Sequence, residues 1–361
     1  MSKRVLSVLL AVIMILSVPA SCSRNDAPSA GDRIITDSAG RQVTVPENPV
    51  SICTICPFSG QMAVLLGCGD RITSTCNNVA RSNLLCEICP GIKNAVVVKN
   101  SGSINAEEVL SLNTDLIIVN LSTYENADEK SKLETMGIPY IVIGFETVEE
   151  QLDAVSVLGK ALNCEDEAEE YINWFRGIID KTENALTNVS AVKRIYHSVN
   201  EAVRTDTKGS YCDEWISYTK AVNVSTDGTA LRIDGNKAYT TLEQIYAWNP
   251  DIIICNEAKV DDYILSDSKW QGLGAVNEGA VYQIPIGVTR WGHPNSVETP
   301  LAILWLAKLL YPEVFTEPLE DEIIYFYKTF YDFDIDDGWI TAMLNGDEMR
   351  TPKTEAGGEA A

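Results

Sequence analysis

The chain has 361 residues, 45% of them hydrophobic, and a formal net charge of −23 at pH 7. The length suffices for two domains with full cores. The charge argues against nucleic acid as a partner, because phosphate binding needs clustered Lys and Arg, and it identifies no ligand, since solubility is the ordinary use of an acidic surface.

The first residues read as an export signal. Lys3 and Arg4 give a positive start, and residues 5–18 form an apolar run too short for a comfortable membrane span. Ala20 and Ser21 then precede Cys22, an arrangement that resembles a bacterial lipoprotein signal, in which cleavage leaves Cys22 as the lipidated first residue. Pro19 stands where leucine is usual in such signals, and ordinary secretion with cleavage near Ala20 is the alternative. Either reading places the mature chain outside the cytoplasm; lipidation anchors it to the outer face of a membrane, or it works in the periplasm. The expected divisions are a signal over 1–21, the lipidated cysteine and a flexible tether over 22–31, an α/β lobe over 32–146, a connecting helix over 147–188, a second α/β lobe over 189–349 and a frayed tail over 350–361.

Residues 33–46 alternate around Ser38, Ala39 and Gly40, which predicts a hairpin. Residues 50–56 predict a short strand ended by Pro57, 59–66 a helix closing at Gly67, and 71–74 a strand. Residues 79–105 read as irregular. A helix then starts behind Asn105 and leads into a strand at 116–119, followed by a helix at 130–136 and a strand at 140–143. This β/α alternation implies a mainly parallel sheet. Residues 147–188 lack proline and repeat apolar residues at helical spacing: Leu152, Val155, Leu158, Leu162, Ala168, Tyr171, Ile172, Phe175 and Ile179. The expectation is one long helix, bent near 163–166, with two ordinary helices as the alternative. The second lobe predicts strands at 193–199, 252–255 and 280–284, helices at 211–220, 269–273, 296–310 and 319–331, a loop at 286–295 and a last helical turn at 340–344.

One phrase is written twice. AEEVLSLNTDLIIVN begins at Ala106 and LEQIYAWNPDIIICN at Leu242, so that Glu107 answers Glu243, Asn113 answers Asn249, Asp115 answers Asp251 and Asn120 answers Asn256. Each copy is a short amphipathic helix, a polar break and a buried strand. Two copies so far apart suggest two similar lobes, and the cleft between two lobes is where a ligand fits.

Ten cysteines occur, and Cys53, Cys56, Cys68, Cys76, Cys86 and Cys89 crowd together. Two pairs have C-x-x-C spacing, Cys53 with Cys56 and Cys86 with Cys89. Four thiolates could hold a metal, but the stretch between the pairs is longer than a compact zinc ribbon uses, which favours disulfides or buried thiols of unreadable connectivity. Cys164, Cys212 and Cys255 read as core residues. Catalytic constellations do not compete: the only histidines are His197 and His293, and no G-x-S-x-G, P-loop or H-E-x-x-H motif occurs.

Residues 33–345 carry, in order, DSAGRQVTVPENP from Asp37, LLGCGDRIT from Leu65, EEVLSLNTDLIIV from Glu107, LETMGIPYIVI from Leu133, LEQIYAWNPDIIIC from Leu242, WQGLGAVNEGAVYQIP from Trp270 and SVETPLAILWLAKLLYPEVF from Ser296. In this order and spacing the chain resembles the substrate-binding proteins of ABC importers for iron–siderophores, haem and vitamin B12. The resemblance implies an α/β fold of two Rossmann-like lobes with a central cleft, joined by one long helix. It implies a protein without turnover or cofactor that captures an iron chelate, haem or corrinoid and delivers it to a permease dimer with its ATPase subunits. It also implies that Glu107 and Glu243 dock onto basic residues of the two permease subunits, where the residues alone suggest only favourable helix N-termini. In the cleft loops, Arg290, Trp291, His293 and Asn295 are the leading ligand candidates, followed by Arg232, Tyr239, Tyr124, Arg81 and Phe58. Arginine clamps oxyanions, tryptophan offers a flat face, and a lone histidine is more often a hydrogen-bonding group than a metal ligand. The alternatives are a molybdate or tungstate importer component, or an extracytoplasmic metal or redox protein using the first lobe's cysteines.

Overall fold

A computed structural model describes residues 31–100, 102–227 and 231–347; the signal, Cys22, the tether and the tail lie outside them. After a β1–β2 hairpin (Arg33–Thr36, Gln42–Val45), the first lobe holds β3 (Ile52–Thr54), β4 (Ile72–Cys76), β5 (Val96–Lys99), β6 (Leu116–Asn120) and β7 (Tyr140–Ile143). These five form one parallel sheet in the order β5-β4-β3-β6-β7. Ile52, Cys53 and Thr54 are all buried, as are residues 116–119, because helices cover both faces of a parallel sheet.

The second lobe holds β8 (Lys193–Ser198), β9 (Arg204–Thr205), β10 (Ala221–Asn223), β11 (Arg232–Asp234), β12 (Lys237–Tyr239), β13 (Ile252–Cys255) and β14 (Val281–Gln283). Its parallel sheet runs β10-β8-β13-β14, and β11-β12-β9 form a small antiparallel sheet beside it. The second lobe is therefore a smaller version of the first with a polar appendage.

The doubled phrase has a structural basis. Asp115 Oδ2 accepts from Val50 N and Ser51 N, both at 2.9 Å, and Asp115 N donates to Ser51 O at 2.8 Å. Asp251 Oδ2 accepts from Arg194 N at 2.9 Å, and Asp251 N donates to Arg194 O at 2.8 Å. Each aspartate thus ties the start of its own strand, β6 or β13, to the start of the neighbouring strand, β3 or β8. Asn113 and Asn249 both take left-handed backbone, φ 50° and 44°, at the exits of the repeat helices. Asparagine tolerates that conformation better than other side-chain-bearing residues.

The stretch expected to be one long helix is instead a helical hairpin. Val148–Leu162 starts with a capping box from Thr147 and Glu150 and stops at Asn163, where φ is 59°. Glu165–Ala185 then runs back along it, as the Arg176–Glu149 ion pair shows. Gly159 permits the close approach, since a Cβ there would sit 2.6 Å from Ala168 Cβ. Both helices put their apolar stripes into the core, and a left-handed Asn reverses the chain more readily than it bends a helix. Glu165–Ala185 packs against Thr299–Leu310 of the second lobe, and Tyr171 Oη donates to Val297 O at 2.8 Å. One apolar cluster runs from Ile52 and Met62 through Leu152, Tyr171 and Phe175 to Leu301 and Phe326, so the lobes share a core at their base.

Three smaller expectations also change. The stretch expected to be irregular from residue 79 onward instead holds a helix at Asn83–Ile88, a 3-10 turn at Pro90–Asn94 and β5. The helix expected at 211–220 ends at Ser217 and yields to β10. A helix forms at Gly274–Asn277 rather than at 269–273, because Asp267 Oδ1 takes the Lys269 N–H and turns the chain there.

Candidate functional site

A cavity of about 180 Å3 opens between the lobes. From the first lobe it takes Pro57 and Gln61, on the Pro57–Leu65 helix that follows β3, and Asn78, on the Asn77–Ala80 helix that follows β4. From the second it takes Asn200, just past β8, and Val288, Thr289, Arg290, His293 and Asn295, from the loop after β14. These are carboxyl ends of parallel strands, where open α/β sheets place ligands. A second cavity of about 190 Å3 shares Pro57 and Asn78 and continues along the first lobe to Lys99, Asn100 and Asn120. Among the described residues, neither wall contains Phe, Tyr or Trp.

Arg290 is the guanidinium of the first cavity. Its Nη1 donates to Asn200 Oδ1 at 2.6 Å, and its Nη2 pairs with Glu257 Oε2 at 2.7 Å. The loop that carries it hangs on Glu298. This buried carboxylate accepts from Val288 N at 3.2 Å, from Thr289 N at 3.1 Å and from the Tyr327 hydroxyl. Burial pushes the Glu298 carboxyl up to about 7, with these hydrogen bonds opposing the shift. Gly287 is obligatory beside it, because a Cβ would meet Glu298 Oε1 at 1.8 Å.

His293 Nδ1 accepts from Asn295 N at 3.1 Å. An Nδ1 that accepts a hydrogen bond carries no proton, so in the neutral imidazole the proton lies on Nε2. Gln61 is buried, and its Oε1 has no hydrogen-bond partner.

Of the candidates read from the sequence, Arg290, His293 and Asn295 meet at one cavity. Trp291 does not join them: its side chain is fully buried in the core. The loop is pinned there by Trp215 Nε1, which donates to Gly292 O at 2.9 Å. Phe58 is likewise a core residue, its ring edge-on to Phe145 at 4.9 Å. Arg81 is half-buried at the end of the Asn77–Ala80 helix, off both walls. Tyr124 lies under the cations of Arg41 and Lys130, 4.8 and 4.6 Å from its ring centre, away from both cavities. Arg232 is exposed on the β11–β12 hairpin, 4.7 Å over the Tyr239 ring, and Tyr239 Oη donates to Glu201 at 3.4 Å.

Sequence reasoning missed Gln61, Asn200 and Glu257; Asn78 and Thr289 fall within cleft loops it expected, 77–90 and 287–295, without being singled out. The usable signal was position: Asn78, Asn200 and Glu257 are polar residues just past strand ends. Glu107 and Glu243 are both exposed in the first turn of their repeat helices, behind the caps Asn105 and Thr241. The Glu243 carboxyl is held below its usual range by its own backbone N–H and the Thr241 hydroxyl.

All nine described cysteines are buried. Burial pushes Cys53 up to about 12 and Cys76 up to about 11, which holds both as neutral thiols at physiological pH. Among the described residues, the group whose possible metal-ligating atoms come within 4.8 Å of one another is His197, Asp206 and Cys212, not the two C-x-x-C pairs.

The chain is similar to the molybdate-binding protein MolA of Haemophilus influenzae, with 26% identity over 328 residues that cover 83% of this chain and 91% of that protein. It is similar to YvrC of Bacillus subtilis, named an uncharacterized ABC transporter substrate-binding lipoprotein, at 23% identity over 78% of this chain and 87% of that one. The solved structure of H. influenzae MolA bound to molybdate superposes with a TM-score of 0.74 at 22% identity, over 84% of this chain and 99% of that one. The model of one family, described as periplasmic binding protein, matches residues 57–286. That match spans more than half of the sequence, and the chain belongs to the periplasmic binding protein family.

Proposed function

We propose that this protein is the extracytoplasmic substrate-binding component of an ABC importer, tethered through Cys22, and that its cargo is a small oxyanion of the molybdate or tungstate type. The family and the names of the relatives support the importer role. The observation that carries the choice of cargo is the cavity wall: one arginine, amide and hydroxyl donors, a histidine and, among the described residues, no aromatic face. Haem or a corrinoid needs a broad apolar wall, whereas the described lining of both cavities is set largely by Asn, Gln, Thr, His, Arg and Lys side chains. A compact tetrahedral anion needs convergent donors. Trp291 lies in the core and offers no flat face to an aromatic or macrocyclic ligand.

Capture exchanges partners. The anion takes the Arg290 guanidinium from Glu257 and collects donors from both lobes, so that binding draws the lobes together. The loaded protein then presents Glu107 and Glu243, one per lobe, to a two-fold permease, and ATP hydrolysis on other subunits drives transport.

The deciding experiment is thermal unfolding of the purified mature protein against molybdate, tungstate, sulfate, phosphate, a ferric siderophore, haem and cobalamin. A ligand that binds only the native state raises the midpoint. Molybdate or tungstate is expected to raise it. A shift with a ferric chelate, haem or cobalamin alone rejects the oxyanion and leaves the importer role standing.

A further inference from the structure

Cys68 Sγ and Cys164 Sγ lie 2.9 Å apart, although the residues are 96 positions apart in the sequence. That is closer than the roughly 3.5–4.0 Å at which even carbon atoms make their best non-bonded contact. Both backbones are fixed. Cys68 follows the Pro57–Leu65 helix through Gly67, whose φ is 74°, and its N–H donates to Ala63 O at 2.7 Å. Cys164 sits in the turn of the helical hairpin, with its N–H on Gly159 O at 2.9 Å. Arg71 holds the same turn by donating from Nη1 to Leu162 O at 3.0 Å. Other thiols point elsewhere: Cys56 donates to Ser59 Oγ and Cys86 to Ala80 O.

We infer that Cys68 and Cys164 form a disulfide in the mature protein, a covalent clamp between the first lobe and the hairpin turn that leads to the second. The inference rests on the extracytoplasmic reading above, because disulfides persist in oxidising compartments. The oxidant is a thiol–disulfide exchange reagent of that compartment. Cys68 thiolate attacks one sulfur of the reagent's disulfide, and the reagent's other sulfur leaves as thiolate. Cys164 thiolate then attacks Cys68 Sγ and expels the reagent's first sulfur. Two thiols lose two protons and two electrons, and the reagent's disulfide takes them up as a dithiol. Once the pair has packed, the Cys164 S–H and the Arg71 guanidinium hold Cys68 below the usual thiol range, whereas the hydrogen bond to Cys68 and burial push Cys164 up; neither shift acts on the open chain, so either thiol can attack first and the balance is the same. Relative exposures of 1% and 5% mean that exchange occurs while the chain folds, before the hairpin closes over the pair.

The clamp has a mechanical consequence. It fixes the turn to the first lobe, so the lobes move relative to each other beyond Cys164, along Glu165–Ala185, and not at the turn.

The test is to refold the full mature chain in a buffer of reduced and oxidised glutathione, alkylate the remaining thiols and map non-reduced peptides by mass spectrometry. A peptide pair joined through Cys68 and Cys164 is expected, lighter by two hydrogens than the free peptides. Reductant is expected to lower the melting midpoint of the wild type by several degrees and to leave the Cys68→Ala/Cys164→Ala double variant unmoved. Recovery of both cysteines as alkylated thiols, or joined to other cysteines, overturns the inference. The refolding result does not depend on where the chain works in the cell. Fractionation reads that location separately, so the two failures are distinguishable.

Discussion

Asn256 positions Asn200: its Oδ1 accepts the Asn200 N–H at 2.8 Å, and Asn200 Oδ1 in turn accepts from Arg290 Nη1 at 2.6 Å. Asn256 is the last residue of the second copy of the doubled phrase. Its counterpart Asn120 caps the Leu121–Glu125 helix and lines the adjoining cavity. The repeat therefore ends at the cleft in both lobes. Asn200 has φ 65°, a conformation that a backbone N–H anchored on Asn256 helps to hold.

On the proposed function, Asn256→Ala is expected to weaken anion binding without touching the anion. Loss of this half-buried hydrogen bond costs about 1–3 kcal/mol at most, which reads as roughly five- to a hundredfold in affinity if the whole loss reaches Arg290. Asn256→Asp keeps the acceptor and is expected to recover most of the affinity. Calorimetric titration with molybdate checks both variants. Equal affinities for wild type and Asn256→Ala reject the relay.

The Arg290–Glu257 pair predicts opposite effects at its two ends. Arg290→Ala removes the charge proposed to meet the anion, and a fall of a hundredfold or more in affinity is expected. Glu257→Gln removes the carboxylate that competes with the anion, and tighter binding is expected, by up to about tenfold. The same titration reads both variants. Weaker binding by Glu257→Gln would mean that Glu257 orients the guanidinium more than it competes for it.

The fold was legible where pattern and periodicity agreed. Continuous apolar runs placed β6 and β13, and Asn113 and Asn249 marked real helix exits. The hairpin at Asn163 was ambiguous, because two helices that share one apolar stripe have the periodicity of one. β9, β11 and β12 are too short and polar to carry a period. At the site, Arg290 and His293 were legible as loop residues rich in chemistry. Trp291 was misread because the sequence does not show which way a loop side chain turns, and here Gly292, packed on Trp215, turns it inward. Asn78, Asn200 and Glu257 carry no motif; only tertiary structure brings them to one cavity.

Glu298 makes stability depend on pH. Its carboxyl is raised from an ordinary 4.5 to about 7 in the fold, so the folded chain holds this proton where the unfolded chain has lost it. The contribution is fully present below about pH 4.5 and is lost as pH rises through 7. The Glu298→Gln variant cannot ionise. Its stability relative to wild type is expected to improve between pH 4.5 and 7 and to level off above that, by on the order of 3 kcal/mol. Urea unfolding of both proteins at several pH values measures this. A difference that stays constant with pH rules out ionisation of Glu298 as its source.

On the proposed function, delivery and capture are expected to separate at the exposed glutamates. Glu107 and Glu243 stand on opposite lobes, each in the first turn of a repeat helix and away from the cavity walls. Substitution at such exposed positions alters stability by no more than about 0.5 kcal/mol. A partner with two-fold symmetry presents the same surface twice, and one carboxylate per lobe matches it. Charge pairs of this kind govern encounter and orientation, so removing both is expected to slow uptake about tenfold or more in cells and to leave the affinity for molybdate unchanged. Either single variant is expected to fall between. Charge reversal, Glu107→Lys with Glu243→Lys, sets two cations against the basic residues expected on the permease and is expected to slow uptake further. Normal uptake by the double alanine variant would remove both residues from docking and leave them as glutamates that favour the N-terminal ends of their helices.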